Sequence, residues 1–145
     1  MKDFTLKAGE KSDIRQIKSL LKSADLPYED IDLSRQDFIA TVQGTKIIGT
    51  IGLEPYGEIG LLRSLAVKDA CRGRGLGRSL VIEMTRHAKD RGIKQLYLLT
   101  LTADRFFERE GFERISRESM PEAIQNTTEF TSICPVLSVC MKKEI

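Results

Sequence analysis

A glycine-rich turn between an apolar strand and an amphipathic helix constrains this chain more than any other feature. The turn reads Arg72-Gly73-Arg74-Gly75-Leu76-Gly77 and follows the strand pattern Ile59 to Val67. Apolar residues at helical spacing then continue to about Arg91, and a second strand pattern runs from Lys94 to Leu99. A strand, a helix and a strand in this order predict a right-handed crossover between two parallel strands.

The composition of the turn favours an anion site. Glycine permits left-handed backbone and close approach of a ligand, and the free N–H groups at a helix start attract negative charge. Arg72, Arg74 and Arg78 add positive charge. The spacing matches neither the dinucleotide fingerprint nor the nucleoside-triphosphate loop. From these residues alone, a pyrophosphate site and a plain flexible loop with solvated arginines both stay open.

The rest of the chain predicts short elements around this crossover. Ser12 and Thr102 are candidate helix caps, and Ser119-Met120-Pro121-Glu122 has the capping-box pattern. Turn signals at 43–45 and 55–57 make the strands between Phe38 and Val67 an antiparallel meander. Strands are predicted at Asp3–Lys7, Phe38–Val42, Lys46–Leu53, Ile59–Val67, Lys94–Leu99, Phe112–Ile115 and Val136–Met141, and helices after Ser12, from Gly75 to Arg91, from Ala103 to Glu110 and after Glu122. This order predicts a single α/β (α+β) domain over residues 1–145 with one mixed central sheet.

Composition excludes several classes of function. The 145 residues are 41% hydrophobic, and 23 basic against 21 acidic residues give a net charge of +2, so nothing indicates a nucleic acid partner. No run of about 18 apolar residues and no leader-like start occur, so we expect a cytoplasmic protein without a membrane partner. Three cysteines (Cys71, Cys134 and Cys140) and one histidine predict neither a disulfide framework nor a metal site.

Two motifs together resemble the GNAT superfamily of N-acetyltransferases. Arg72, Gly75 and Gly77 stand on the fixed positions of its coenzyme A signature, Gln/Arg-x-x-Gly-x-Gly/Ala, and residues 106–112, Phe-Phe-Glu-Arg-Glu-Gly-Phe, look like its aromatic-aromatic-x-x-x-Gly-Phe element. The order of elements matches over the whole chain. The resemblance implies a parallel strand pair that splays apart, helices on both faces of the sheet, acetyl-CoA bound between the splayed strands, and an assembly that is often a homodimer.

The resemblance also implies which residues touch the cofactor. A backbone N–H near Leu65 would stabilise the oxyanion. Phe107 stands where many members place a tyrosine that reprotonates the leaving thiolate, so another group or water takes that part, or no acid is needed. We expect one of Phe106 and Phe107 to line the cofactor channel and the other to be buried. The implied contacts are Leu65, Ala66, Val67, Arg72, Gly73, Arg74, Gly75, Leu76, Gly77, Arg78, Thr100, Phe106 and Phe107.

Two charged residues are candidates for the acceptor side. Glu54, at the end of the second meander strand, is preferred over Glu58 as general base, and the alternative for both is a turn carboxylate in water. Arg63 lies in an apolar strand, where an arginine is costly unless paired. It either clamps an acceptor carboxylate or forms a salt bridge with a structural glutamate.

A narrower resemblance bears on the substrate. Four segments look like the small acetyltransferases associated with arsenic-resistance operons, which are similar to the acetyltransferase domain of N-acetylglutamate synthase: residues 52–57, 61–65, 96–100 and 132–135. This implies transfer of an acetyl group from acetyl-CoA to the primary amine of a small molecule, such as an amino acid or an arsenic-containing analogue. The alternatives are a peptide or protein N-acetyltransferase and a non-catalytic coenzyme A-binding regulatory module.

Overall fold

Short strands and helices alternate along the chain. The computed structural model describes residues 4–127, 130–131 and 138–145. The strands are β1 (Thr5–Ala8), β2 (Asp37–Gln43), β3 (Lys46–Tyr56), β4 (Ile59–Val67), β5 (Gln95–Thr100), β6 (Glu113–Ile115) and β7 (Val139–Glu144). The helices are α1 (Ile14–Ser23), α2 (Leu76–Asp90), α3 (Asp104–Arg109) and α4 (Glu122–Gln125), with 3₁₀ turns at Lys11–Asp13, Asp69–Cys71 and Arg117–Ser119.

Within these residues, seven strands form one mixed sheet in the order β1-β2-β3-β4-β5-β7-β6. The strands from β1 to β4 pair antiparallel, which confirms the predicted meander. β4 and β5 pair parallel, as the crossover through α2 requires. β7 then inserts antiparallel between β5 and β6.

Helices cover both faces of this sheet. Successive residues of a strand point to opposite faces, so neighbouring residues pack against different helices. Ile39 on β2 belongs to the core under α2 and α3, whereas Phe38 and Ala40 belong to the core under α1. On β4, Leu62 contacts the first core and Leu61 contacts a third cluster with Ile124 of α4. Helices on both faces of a mixed sheet confirm the predicted fold. Among the described residues, no helix is both long and apolar enough to cross a membrane.

The hairpin between β3 and β4 turns later than the sequence predicts. β3 continues through Pro55, which pairs with Gly60, to Tyr56, so the predicted strand end at Leu53 is wrong. A proline removes one N–H from the ladder, and this is tolerated near the end of a hairpin. The turn is the two-residue loop Gly57-Glu58, with φ +67° at the glycine. Glu54 therefore lies inside a strand.

The predicted caps differ from the observed ones. The Asp13 carboxylate accepts from the Glu10 N–H at 2.8 Å, and the Asp13 N–H donates to the Glu10 carbonyl at 2.8 Å, so this pair, and not Ser12, closes the 3₁₀ turn before α1. Thr100 rather than Thr102 serves the start of α3, since its Oγ1 accepts from Ala103 N at 2.9 Å.

The C-terminal part also differs in two places. α4 follows Pro121 without any side-chain cap, so the predicted capping box between Ser119 and Glu122 does not form. The last strand continues beyond Met141 to Glu144, because Gln95 and Leu96 of β5 extend the pairing with β7. The segments predicted at Asp3, at 132–135 and at 136–137, with Cys134, lie outside the described residues.

Candidate active site

A wedge-shaped gap opens where β4 and β5 separate. The two strands share only three residue pairs, from Ile59–Leu61 with Gln95–Tyr97, although β4 continues to Val67 and β5 to Thr100. Beyond the last pair lies a cavity of about 800 Å³ that both strands line. Strand edges that lack a neighbour present backbone N–H and C=O groups to whatever fills the gap. The predicted splay of the parallel pair is confirmed.

A β-bulge in β4 forms one wall of this cavity. Thr50 pairs with Ala66 and Gly52 pairs with Arg63, so Ser64 and Leu65 together lie opposite the single residue Ile51. A bulge leaves the extra residue out of the regular ladder. Ser64 has φ +59°, a left-handed conformation that costs a residue with a side chain about 1–2 kcal/mol. Local strain is therefore concentrated at the cavity wall.

The glycine turn forms the opposite end of the same cavity. Gly73 and Gly75 have φ +82° and +76°, and Gly75 is the N-cap of α2, which no side chain caps. The first N–H groups of α2 therefore have no intrahelical partner. Arg72 and Arg78 line the cavity and are largely exposed, with ion pairs to Asp69 and Glu110. This end can hold an anion.

The start of α3 closes the side of the cavity next to the glycine turn. A Cβ on Gly77 would lie 3.5 Å from the Phe106 ring, so the absence of a side chain lets that ring approach α2. Phe107 is buried and meets Phe106 and Phe112 edge to face, at centroid distances of 5.0 and 5.5 Å. Both phenylalanines line the cavity, and Phe107 also enters the core, so the expected division between them is only partial.

A buried charge cluster lies beside the bulge. The guanidinium of Arg63 donates to both oxygens of Asp30, at 2.5 and 2.7 Å, and to Oε2 of Glu54 at 2.7 Å. Its Nε donates to Ser64 Oγ at 2.9 Å. The Arg63 side chain is 0% exposed. Of the two alternatives for Arg63, the structure shows the salt bridge. Glu54 is the glutamate partner, and Asp30 is a second carboxylate partner.

Glu54 is buried in this cluster and is not a turn carboxylate in water. Its Oε1 accepts from the Tyr56 hydroxyl at 2.6 Å, and its Oε2 also accepts from Gln36 Nε2 at 2.9 Å. Burial and the hydrogen bond to Glu54 raise the pKa of the Tyr56 hydroxyl, so it remains a donor. Glu58, in contrast, is exposed and pairs with Lys94 at 3.3 Å.

The Asp30 carboxylate is ionised under ordinary conditions. Burial alone would raise its pKa, but the hydrogen bonds and charge of Arg63 outweigh burial and hold the pKa below the usual 3.8.

The cavity brings most of the predicted site residues together. Arg74 and Glu54 are the predicted residues that do not line it. No group of three or more potential metal ligands occurs in the part of the chain that the structure describes. The predicted residues that line the cavity are Arg63, Leu65, Ala66, Val67, Arg72, Gly73, Gly75, Leu76, Gly77, Arg78, Thr100, Phe106 and Phe107.

The sequence of this chain matches a known protein family. The family model described as an acetyltransferase (GNAT) domain matches residues 34–114, more than half of the chain. The chain belongs to the GNAT acetyltransferase family. An uncharacterized N-acetyltransferase of Chlorobaculum tepidum is 33% identical to this GNAT domain over 95 residues, which are 65% of this chain and 60% of the relative. An amino-acid acetyltransferase of Photorhabdus laumondii is 30% identical over 95 residues, 64% of this chain and 21% of that protein. The matched region is thus less than two thirds of either relative's length.

Solved structures show the same GNAT fold. N-acetylglutamate synthase from Neisseria gonorrhoeae, complexed with coenzyme A and N-acetyl-glutamate, superposes with a TM-score of 0.84 at 19% identity, over 99% of this chain and 35% of that one. A GNAT-family acetyltransferase from Staphylococcus aureus superposes with a TM-score of 0.79 at 18% identity, over 97% and 98% of the two chains.

Sequence reasoning missed several polar residues of this GNAT site. Asp30, Gln36 and Tyr56 complete the charge cluster, and the acidic segment 28–36 was the signal that could have supplied a partner for Arg63. Ser64 was missed because a left-handed serine has no sequence signature. Ser138 lines the cavity, and its buried Oγ has no hydrogen-bond partner among the described residues. Nothing in the sequence pattern distinguishes that serine.

Proposed function

We propose that this GNAT domain is an N-acetyltransferase that moves an acetyl group from acetyl-CoA to the primary amine of a small molecule. One observation carries the proposal: the uncapped N-terminus of α2, the splayed strands and the strained bulge all open on one cavity. The coenzyme A complex of the structurally similar N-acetylglutamate synthase supports the choice of donor.

Different parts of acetyl-CoA would occupy different parts of the cavity. The amides of residues 74–78 at the start of α2, with Arg72 and Arg78 beside them, would hold the pyrophosphate. The pantetheine arm would hydrogen-bond the free edge of β4 at Leu65, Ala66 and Val67, in place of the missing neighbour strand. Thr100, Phe106 and Phe107 would line the other side. A thioester placed this way has its carbonyl next to the bulge.

The chemical step needs little from the protein besides position and charge stabilisation. The amine attacks the thioester carbonyl, the C–N bond forms, and the C–S bond breaks as the thiolate leaves. A backbone N–H at Leu65 stabilises the oxyanion in between. Phe107 cannot donate a proton, so the thiolate, with a thiol pKa of about 8.5, takes its proton from water or from another group.

Glu54 is the proposed acceptor of the ammonium proton. Its oxygens already accept from Tyr56, Gln36 and Arg63, so the proton reaches Glu54 through a water or after one donor moves. An amino acid is the proposed class of acceptor, because curated relatives are amino-acid acetyltransferases. Arg63 would touch a carboxylate of such an acceptor only if it exchanged that carboxylate for Asp30.

An acceptor screen tests the proposal. Thiol release from acetyl-CoA is measured with acidic and other amino acids, arsenic-containing amino acid analogues, short peptides, and no acceptor, alongside calorimetric titration of coenzyme A. We expect coenzyme A binding and release that depends on a free amino acid. Turnover of peptides alone would indicate a protein N-acetyltransferase, and coenzyme A binding without turnover of any amine would indicate a regulatory module.

A further inference from the structure

A hydrogen bond joins the buried charge cluster to the strained bulge. Arg63 Nε donates to the Oγ of Ser64, the residue with φ +59°. The other end of the same guanidinium is fixed by Asp30 and Glu54. A planar guanidinium held by two carboxylates cannot rotate without breaking several charge-assisted hydrogen bonds. The Ser64 side chain is therefore attached to a fixed point inside the protein.

We propose that Arg63 is a positioning residue for the bulge at Ser64 and Leu65. Through Ser64 Oγ it holds the left-handed backbone in the geometry that directs the Leu65 N–H to the developing oxyanion. The inference rests on the proposed function, because it assumes that a thioester carbonyl reacts beside the bulge. Small displacements of such a donor matter, since removing one oxyanion donor typically costs about 10²–10³-fold in kcat.

The contacts of Arg63 favour this role over a clamp on the acceptor. Its side chain is 0% exposed, and its bidentate contact is already made by Asp30. An incoming carboxylate would have to displace Asp30 from this bidentate contact. The contacts of Arg63 thus hold the bulge in place and leave no exposed part of the side chain to bind an acceptor.

The same cluster connects the bulge with a loop that also lines the cavity. Asp30 belongs to the segment between α1 and β2, and residues 24–27 of that segment line the cavity. Glu54 fixes the guanidinium to β3. Arg63 therefore joins the loop between α1 and β2, strand β3 and the bulge of β4.

Two variants and a matched control test the inference. Arg63→Lys keeps the charge that Asp30 and Glu54 need but removes the Nε donor, and Ser64→Ala removes its acceptor. Arg91→Lys is the control, because Arg91 also pairs with a carboxylate, Asp37 at 2.7 Å, and does not line the cavity. Thiol release from acetyl-CoA is followed with two probe acceptors, L-glutamate and hydroxylamine, which has no carboxylate.

We expect both variants to lower kcat by about 10- to 100-fold, by similar factors for the two probes, with every KM within about twofold of wild type. The control should match wild type. A rise in KM for L-glutamate alone in Arg63→Lys, with normal turnover of hydroxylamine, would assign Arg63 to acceptor binding and overturn the inference. Wild-type kcat in both variants would overturn it as well.

A second readout does not depend on turnover. Amide hydrogen exchange across residues 62–67 should be at least about tenfold faster in Arg63→Lys and Ser64→Ala, because local opening there loses its support, and unchanged in Arg91→Lys. Unchanged exchange in both variants contradicts the inference. Faster exchange in a protein that acetylates no amine would leave the positioning of the bulge intact and reject the proposed function instead.

Discussion

Two serines give the wall of this cavity its unusual features at the scale of single residues. Ser138 Oγ is buried against the cavity without a partner among the described residues, and Ser64 holds a conformation that most residues avoid. A buried polar group without a partner costs about 1–3 kcal/mol, so native proteins keep one where a ligand or water completes it. Both serines therefore lower the stability of the fold at the wall of the cavity.

Substitution of Ser138 should separate stability from activity. Ser138→Ala removes the unsatisfied hydroxyl, so the free energy of unfolding should stay the same or rise. Turnover of acetyl-CoA should fall by about two- to twelvefold, because a neutral hydrogen bond to bound substrate would contribute about 0.5–1.5 kcal/mol. Urea unfolding and steady-state kinetics on one preparation check both parts. A less stable variant with normal turnover would show that the hydroxyl is structural.

Substitution of Glu54 tests its assignment as proton acceptor. Glu54→Gln retains an acceptor for the Tyr56 hydroxyl but removes the charge, and we expect kcat/KM to fall at least about tenfold. Steady-state kinetics with a free amino acid as acceptor is the measurement, and wild-type kcat/KM in the variant would reject Glu54 as the proton acceptor.

At the scale of elements, α2 has a glycine of the same kind at each end. Gly75 and Gly92 have φ +76° and +84°, and a Cβ on either would meet nothing within 4 Å. Alanine at either position should therefore cost about 1–2 kcal/mol of unfolding free energy through backbone strain alone. Only Gly75→Ala should also weaken coenzyme A binding, by about tenfold or more, since its strain disturbs the N–H groups of the anion site. Calorimetric titration of both variants is the measurement, and equal affinities would argue against a pyrophosphate at α2.

Local patterns predicted the elements well, and their ends less well. The crossover through α2 followed from the glycine turn and helical spacing, which are properties of neighbouring residues. The ends depended on tertiary contacts: Pro55 stays in β3 because Gly60 pairs with it, and Thr100 replaces Thr102 at α3 because of where β5 ends.

The charge cluster shows why the site was less predictable than the fold. An arginine inside an apolar strand needs a charged partner. Glu54 lies on the neighbouring strand of the predicted hairpin, so the sequence could suggest it as that partner. Asp30 lies 33 residues away from Arg63, and only the folded sheet brings them to 2.5 Å. The glycine turn was recognisable because its motif consists of consecutive residues, whereas the charge cluster is assembled from three separate segments of the chain.

At the scale of the whole molecule, acid should weaken the fold through Asp30. Its pKa in the folded protein lies below the usual 3.8, so the stability it contributes is complete above that value and is lost as the pH falls through the folded pKa. The urea midpoint of the wild type should therefore fall steeply below about pH 4. Asp30→Asn should have a lower urea midpoint than the wild type at neutral pH, and its midpoint should fall less as the pH is lowered. Parallel curves for the two proteins would mean that other carboxyls, such as Asp13, dominate the acid response.

The three shared residue pairs of β4 and β5 divide the sheet into two panels joined by a short seam. Strands β1 to β4 form one panel and strands β5 to β7 form the other, with α2 as the connection between β4 and β5. A ligand whose amides fill the gap would act as a missing strand and lengthen the seam. Such a ligand would stabilise the contact between the two panels. Saturation with it should therefore raise the unfolding midpoint and also make the unfolding transition of the two panels more cooperative.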